Sequence, residues 1–324
     1  MLVAHAKAHA NIALAKYWGK ADIAKNLPAV PSISMTLDAM HTETSVCFDP
    51  ALKEDVLELN GVVTSDKPLT RAHTLLERVR AEAGTRAFAR IVTSNNFPTA
   101  SGLASSASGF AALAVAARAA IGLPRDPVRE SALARASSAS AARSLFGGYV
   151  ALDKGAEAAR PIAGAEQLPL ALCVAVISES AKAIGSTEGM EHTRQTSPYY
   201  AAWISHAPDL AARVETAINA ADLETLGPLV EQSSLLMHAS MMGAAPAIIY
   251  FKGTSLDVLA RVRRLRDEGC AAFCTMDAGP HVKVICAPDN LEHVRRALAE
   301  TPGVLRTLDC RLGPDASVRV EEVK

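Results

Sequence analysis

Four groups of residues carry side chains suited to chemistry. Asp277 lies in the run Asp277-Ala278-Gly279-Pro280, between two apolar stretches. A carboxylate on a tight Gly/Pro turn is rigidly aimed and can accept or orient a hydroxyl proton; the same residue type also caps turns. Arg143 offers a planar fork that matches a carboxylate, although a structural arginine would read the same way. Lys16 and Lys20 flank Tyr17-Trp18. Lysines supply mobile point charges for phosphates or a carboxylate, while the same stretch also suits a half-exposed strand with Trp18 packed inward.

The fourth group is the sharpest: Pro98-Thr99-Ala100-Ser101-Gly102-Leu103-Ala104-Ser105-Ser106-Ala107-Ser108-Gly109. Small residues let a backbone turn tightly and bring its N–H groups up to an anion. An apolar run follows at once, so a helix N-terminus would add its dipole. Ser105 and Ser106 add hydroxyls for phosphate or a magnesium ion. The lysine of a G-x-x-x-x-G-K-[ST] loop is missing, as are a dinucleotide G-x-G-x-x-G and a G-x-S-x-G elbow. Phosphate binding and a flexible small-residue turn both fit these residues.

The elements that must position these groups can be outlined from periodicity. Residues 42–48 and 55–59 are expected as strands, the latter ending in an Asn60-Gly61 hairpin turn. A helix is expected over 69–83, closed by Gly84, then a strand over 87–93. The small-residue loop leads into a helix that ends near Gly122, and another helix covers 127–136. Residues 146–152 form a turn into a strand. The segment 155–167, small, polar and proline-containing, marks the boundary between a domain of residues 1–165 and one of residues 166–324. The second domain opens with a strand over 168–177. Helices follow over 199–220 (interrupted at Pro208), 223–241 and 256–268. Strands over 271–276 and 282–286 flank the Asp277 turn, and a helix covers 291–299. Strands and helices mix without strict alternation, which points to the α+β class.

Composition narrows the function classes. A chain of 324 residues exceeds one usual core, and at 49% hydrophobic and only 4% aromatic residues its cores must be aliphatic. The net charge of −1 argues against a nucleic-acid footprint. The arginines between 261 and 266 read as the solvated face of a helix. No charge-free apolar stretch is long enough to cross a membrane, and the N-terminus lacks the pattern of a signal peptide. A cytoplasmic enzyme with reduced thiols is the expectation for its six cysteines.

The small-residue loop resembles the P-x-x-x-G-L-x-S-S-A signature of the GHMP kinase superfamily. The stretch Asn11-Ile12-Ala13-Leu14-Ala15-Lys16-Tyr17-Trp18-Gly19-Lys20, with Leu27-Pro28 and Ser32-Ile33-Ser34-Met35-Thr36-Leu37, narrows the match. It is similar to N-I-A-x-x-K-Y-W-G-K…P…S-x-S-x-T-L of the diphosphomevalonate decarboxylases. Residues 94–107 follow the same family's S-x-N-N-F-P-T-A-x-G-L-A-S-S-A. Further matches run in order: Arg143-Ser144-Leu145-Phe146-Gly147-Gly148, Gly189-Met190, Thr196-Ser197-Pro198, Trp203, Met237-His238-Ala239 and Met276-Asp277-Ala278-Gly279-Pro280.

The resemblance implies a two-lobed GHMP-kinase-type fold with a deep active-site cleft between lobes. The first lobe would carry most of the ATP loop and the second Asp277. It implies ATP-dependent decarboxylation of mevalonate 5-diphosphate to isopentenyl diphosphate, by phosphorylation of the 3-hydroxyl and departure of phosphate and carbon dioxide. Decarboxylation of the 5-monophosphate, or a mevalonate 3-kinase that stops at phosphorylation, are the alternatives within the superfamily. Asp277 would be the essential aspartate, Arg143 the carboxylate holder, Asn11 its brace and Lys16 a catalytic lysine. Tyr17, Trp18, Lys20, Ser138, Ser140, Lys182 and Ser186 would contact substrate. Pro98, Ser101, Gly102, Leu103, Ala104, Ser105, Ser106 and Ala107 would contact ATP, with Ser105 on the accompanying Mg2+. Family members often form homodimers. The chain departs from the pattern in three places. Ser137 and Ala139 replace glycines, where a positive φ would introduce strain. Ala183-Ile184-Gly185-Ser186 replaces a K-x-S-S-like run. His281 replaces an asparagine and is expected to face solvent.

Overall fold

Small and polar residues alternate from Leu2 to Ala8, burying Ala4, Ala6 and Ala8 and leaving His5 and Lys7 partly exposed. That is the period of a half-covered strand. Beyond His9 both faces are buried to the end of the strand at Ala15, and the register with the neighbouring strand Ser32–Asp49 shifts between His9 and Asn11 and again between Ala13 and Ala15. Bulges of this kind re-aim side chains and cluster beside functional sites. Here they precede Lys16 and bracket Asn11. The computed structural model describes residues 1–65, 67–97, 105–180 and 184–323.

Leu2–Ala15 lies inside a mixed sheet, between Ser317–Glu322 and Ser32–Asp49; Phe88–Asn95, Val56–Leu59 and Val62–Thr64 follow outward. Tyr149–Leu152 pairs with the start of Ser32–Asp49 and carries Arg160–Ala163 on its other side. Thus the segment 155–167, which shows no regular pattern in sequence, contributes a strand. Val56–Leu59 runs parallel to Phe88–Asn95, and the hairpin at Asn60-Gly61 forms with φ of 51° and 80°, as a turn needing two positive φ values requires. Helices Lys67–Ala83 and Ser105–Ala120 pack on this sheet through an alanine-rich core, and Pro127–Ser137 packs on those helices. The paucity of aromatic residues is what permits such close helix–sheet contact.

The second sheet is antiparallel, in the order Ala272–Met276, Val282–Cys286, Ala171–Val176, Arg306–Arg311. Its two faces bury different cores. Ala272, Cys274, Val282 and Val284 face helices Gly253–Asp267 and Leu291–Ala299. Leu172, Val174, Phe273 and Ile285 share a core with Ile12, Leu14 and Met35 of the first sheet and with helices Tyr200–Asn219 and Leu223–Met242. The two sheets are therefore joined by one continuous apolar layer, which fixes the Asp277 turn relative to Lys16.

Two expectations are corrected, and two strands are added. Tyr200–Asn219 runs through Pro208 without a break: its buried stripe of Trp203, Ala207, Leu210, Ala211 and Val214 straddles the proline, and packing outweighs one lost backbone hydrogen bond. His281 is fully buried, and its Nδ1 accepts from the Ile177 N–H at 3.1 Å; the strand that follows it is buried along its whole length, so the turn ends inside the protein. Two C-terminal strands, Arg306–Arg311 and Ser317–Glu322, had no clear sequence signal, because their outward faces are exposed and charged. The cysteines are all free, and five of the six are buried. No helix among the described residues is long and apolar enough to cross a membrane.

Candidate active site

A cleft of about 600 Å³ opens where residues following the first strand meet the Asp277 turn. Asn11, Lys16, Tyr17, Lys20, Ser138, Ser140, Arg143, Ser186 and Asp277 all line it, so the structure brings together residues separated by more than two hundred positions.

Asp277 is held by two ammonium groups. Lys16 Nζ donates to Oδ1 at 2.7 Å and Lys283 Nζ to Oδ2 at 3.0 Å. The lysine side chains are 1% and 0% exposed, whereas 27% of the Asp277 side chain is open to the cleft. Burial alone would raise the carboxyl pKa, but Lys16 and then Lys283 outweigh it and hold the group well below the usual carboxylate range. Burial pushes Lys16 down to about 8; Asp277 opposes the shift, and Lys283 and Arg143 add to it. Lys16 therefore loses its proton at a pH where an ordinary lysine keeps it. Turnover is expected to fall above pH 8. The folded state behaves oppositely: a lysine depressed on folding carries a penalty below pH 8 that is relieved as pH climbs from 8 toward 10.5. A pH–kcat profile beside melting curves checks this; an alkaline loss of activity that tracks melting would contradict it.

Arg143, 2% exposed, belongs to the short 3-10 helix Ala139–Leu145. Its Nε donates to Ser34 Oγ at 3.0 Å, Nη1 to Ser32 Oγ at 2.6 Å and Nη2 to Asn11 Oδ1 at 3.2 Å. Burial lowers its pKa to about 10, which leaves it charged at neutral pH. The Asn11 amide nitrogen in turn donates to Ser144 Oγ at 2.7 Å and to the Ser140 carbonyl at 3.0 Å. A guanidinium has five N–H donors. Among the described residues three are used here, which leaves one on each terminal nitrogen for a carboxylate.

Trp18 is 2% exposed, and its Nε1 donates to Thr193 Oγ1 at 3.2 Å. Its indole packs with Met190, Trp203 and Met237 and also lines the cleft. Gly19 sits at φ 116°, and a Cβ there would collide with the Tyr200 hydroxyl; only glycine permits the chain to turn between Lys16 and Lys20. Ser138 and Ser140 lie 3.3 Å apart, Oγ to Oγ. Ser137 and Ala139 both avoid positive φ, so losing the expected glycines introduces no backbone strain. Ser186 begins the helix Ser186–Thr196, whose first turn faces the cleft.

Ser105 and Ser106, at the start of Ser105–Ala120, line both the cleft and a second cavity of about 280 Å³. That cavity has apolar walls from Leu57, Leu59, Ile91, Phe110 and Leu113, with Thr93 and Asn95 among its polar groups. Ala107 turns inward and is fully buried, so only its backbone is left for a ligand. Pro98, Ser101, Gly102, Leu103, Ala104 and Lys182 lie outside the described residues.

Sequence reasoning missed Lys283, Lys67 and Arg71. Lys67 and Arg71 line both cavities, and Arg71 lies 4.4 Å over the Phe110 ring. On a helix of mixed charge nothing sets them apart. Lys283 did leave a signal: a lone lysine inside the apolar run Val282–Cys286.

Two family models match the chain: diphosphomevalonate decarboxylase-like N-terminal domain over residues 8–163, and mevalonate 5-diphosphate decarboxylase C-terminal domain over residues 172–314. A curated relative, the diphosphomevalonate decarboxylase of Eremothecium gossypii, is 37% identical over 319 residues, covering 89% of this chain and 78% of that protein. The crystal structure of mevalonate diphosphate decarboxylase from Staphylococcus aureus superposes with a TM-score of 0.93 at 36% identity, covering 99% of both chains. The solved complex of MDDEF with MVAPP, AMPPCP and magnesium superposes at 0.91 with 39% identity, covering 98% of this chain and 99% of that one.

Proposed function

The chain belongs to the diphosphomevalonate decarboxylase family, and from that premise and the cleft we infer which of its residues carry out an ATP-dependent decarboxylation of mevalonate 5-diphosphate. The reaction yields isopentenyl diphosphate for isoprenoid synthesis. The observation that carries the assignment of residues is the pairing of an ionised, lysine-clamped Asp277 with a buried Arg143 that retains two donors. A tertiary alcohol and its neighbouring carboxylate need those two groups side by side.

ATP enters as a substrate with magnesium. The nucleoside fits the apolar cavity beside Phe110, and the phosphates fit the N-terminus of Ser105–Ala120, where the positive end of the helix and the Ser105 and Ser106 hydroxyls meet the cleft. The donor set suits a metal held chiefly by the nucleotide, with Ser105 as protein ligand; the described residues contain no cluster of three His, Cys, Asp or Glu side chains that would form a metal cage. When bound, magnesium neutralises charge on the phosphates. Lys20, Ser138, Ser140 and Ser186 line the region suited to the diphosphate tail.

Asp277 orients the 3-hydroxyl toward the terminal phosphate and receives its hydrogen bond. Because its carboxylate is so weakly basic, it orients the hydroxyl without taking its proton in the ground state. It accepts that proton only as the new oxygen–phosphorus bond forms and the bond to ADP breaks, and releases it to solvent afterwards. Lys16 balances the charge at Asp277 and on the transferring group. Arg143 holds the substrate carboxylate in line, so that carbon dioxide leaves as the phosphate departs from C3. We divide the chain into an N-terminal ATP-binding domain, 1–165, and a C-terminal domain, 166–324, whose last strand, Ser317–Glu322, crosses back to pair with Leu2–Ala15 of the first sheet, and place the enzyme in the cytoplasm as a homodimer.

The test is release of labelled carbon dioxide from C1-labelled substrate with ATP and magnesium. The expected result is release in step with ADP from mevalonate 5-diphosphate, and little from the 5-monophosphate. ADP without carbon dioxide would instead identify a kinase. Release only from the monophosphate would reassign the tail pocket.

A further inference from the structure

Among the described residues, Lys283 reaches the Asp277 carboxylate from inside the protein. It pairs in register with Thr275 across the antiparallel strands on either side of that turn. The side-chain period of a strand puts it on the same face as Phe273 and Ile285, which belong to the core joining the two sheets. It is fully buried and does not line the cleft. An aliphatic residue would fill that place without the desolvation of an ammonium. Its hydrogen bond among the described residues goes to Asp277 Oδ2, at 3.0 Å.

We propose that Lys283 is a positioning residue for the reaction: by anchoring Oδ2 from behind, it leaves Oδ1, with Lys16, as the carboxylate edge presented to the cleft. With Lys16 alone, Asp277 could rotate about its last side-chain bond and offer either oxygen. With both lysines, the carboxylate plane is fixed by two donors from different segments, one just past the end of Leu2–Ala15 and one within Val282–Cys286. The second ammonium also keeps the carboxyl ionised and repels the proton on Lys16. The other titratable or charged groups facing this cluster are Arg143, from the 3-10 helix, and His238, from Leu223–Met242. His238 is buried and held down to about 4, first by burial and then by Lys16, so it stays neutral in the working range.

This inference rests on the reading of Asp277 as the carboxylate that meets the hydroxyl. The test is Lys283→Met, which keeps length and removes charge. The expected kcat falls about 10- to 100-fold, as for a small misplacement of a reacting group, with both KM values within about threefold. The pH profile carries the distinction. Losing a positive charge beside Asp277 raises its pKa, and losing one beside Lys16 raises that too. Asp277 titrates too far below the working range to set a limb, so it is the alkaline limb, set by Lys16 at about 8, that should move upward, by about one unit, and Lys283→Arg should restore it toward wild type. A purely structural lysine would lower melting temperature and amplitude and leave the alkaline limb in place; that result, or a loss confined to KM, overturns the proposal. If Lys283→Met does not fold, Lys283→Gln takes its place with the same readouts. An Asp277→Asn enzyme that stays active refutes the reading of Asp277 itself; an inactive one, with an unmoved alkaline limb in the Lys283 variant, refutes only the role of Lys283.

Discussion

Asp277→Asn is expected to lower kcat by on the order of 10³-fold or more, because a neutral amide can orient a hydroxyl but cannot support the charge it develops. The KM values for ATP and for the diphosphate should change little, since the tail and nucleotide contacts lie elsewhere in the cleft. The variant should also be less stable. Asn is nearly isosteric, so packing survives, but Lys16 and Lys283, 1% and 0% exposed, lose their shared counter-ion. Breaking a buried pair by removing one partner costs about 3–5 kcal/mol. Adding Lys283→Met to Asp277→Asn removes one of the two stranded charges, so the double variant should melt higher than Asp277→Asn alone. Thermal melts at pH 7, with single-turnover kinetics for the chemical step, check both halves. Near-normal turnover in Asp277→Asn would sink the assignment, whatever the melting curves show.

Much of this cluster was legible in the sequence, and the reason is physical. A turn between two apolar runs has few solutions, so the place of Asp277-Ala278-Gly279-Pro280 between two strands was legible, whereas the residues alone fit a turn cap as well and the catalytic role came from the family resemblance. Helices with a clear stop, such as Lys67–Ala83 before Gly84, fell within two residues of expectation because glycine at φ 67° ends a helix cleanly. Residues that act by packing or long-range pairing were not legible. Lys283 matters through a partner six residues away across a turn, and Ser32 and Ser34 through Arg143, more than a hundred residues on. The bulges that aim Asn11 and Lys16 leave no mark on composition. The strand Ser317–Glu322 returns the C-terminus to the first sheet and was invisible because its exposed charges resemble a solvated tail.

Arg143→Lys is expected to separate the two halves of the reaction. The substitution keeps a positive charge, so attraction for the substrate carboxylate persists. It removes the planar fork, and a single ammonium cannot bond Ser34, Ser32 and Asn11 while also gripping two carboxylate oxygens. Two consequences follow. Buried hydroxyls lose their donor, at about 1–3 kcal/mol of stability, so the melting temperature drops. More tellingly, the carboxylate is no longer held in one plane while the phosphate leaves, and carbon dioxide release should fall on the order of 10²-fold. Phosphoryl transfer depends on Asp277, Lys16 and the ATP site, which this change leaves standing, so ADP formation should fall less. The ratio of ADP to carbon dioxide, one for the intact enzyme, should rise above one in Arg143→Lys, with a 3-phosphorylated diphosphate accumulating in between. If ADP and carbon dioxide fall together and their ratio stays at one, Arg143 acts before phosphorylation, as a clamp that brings the 3-hydroxyl to Asp277. The two donors left over on its guanidinium would then serve binding alone.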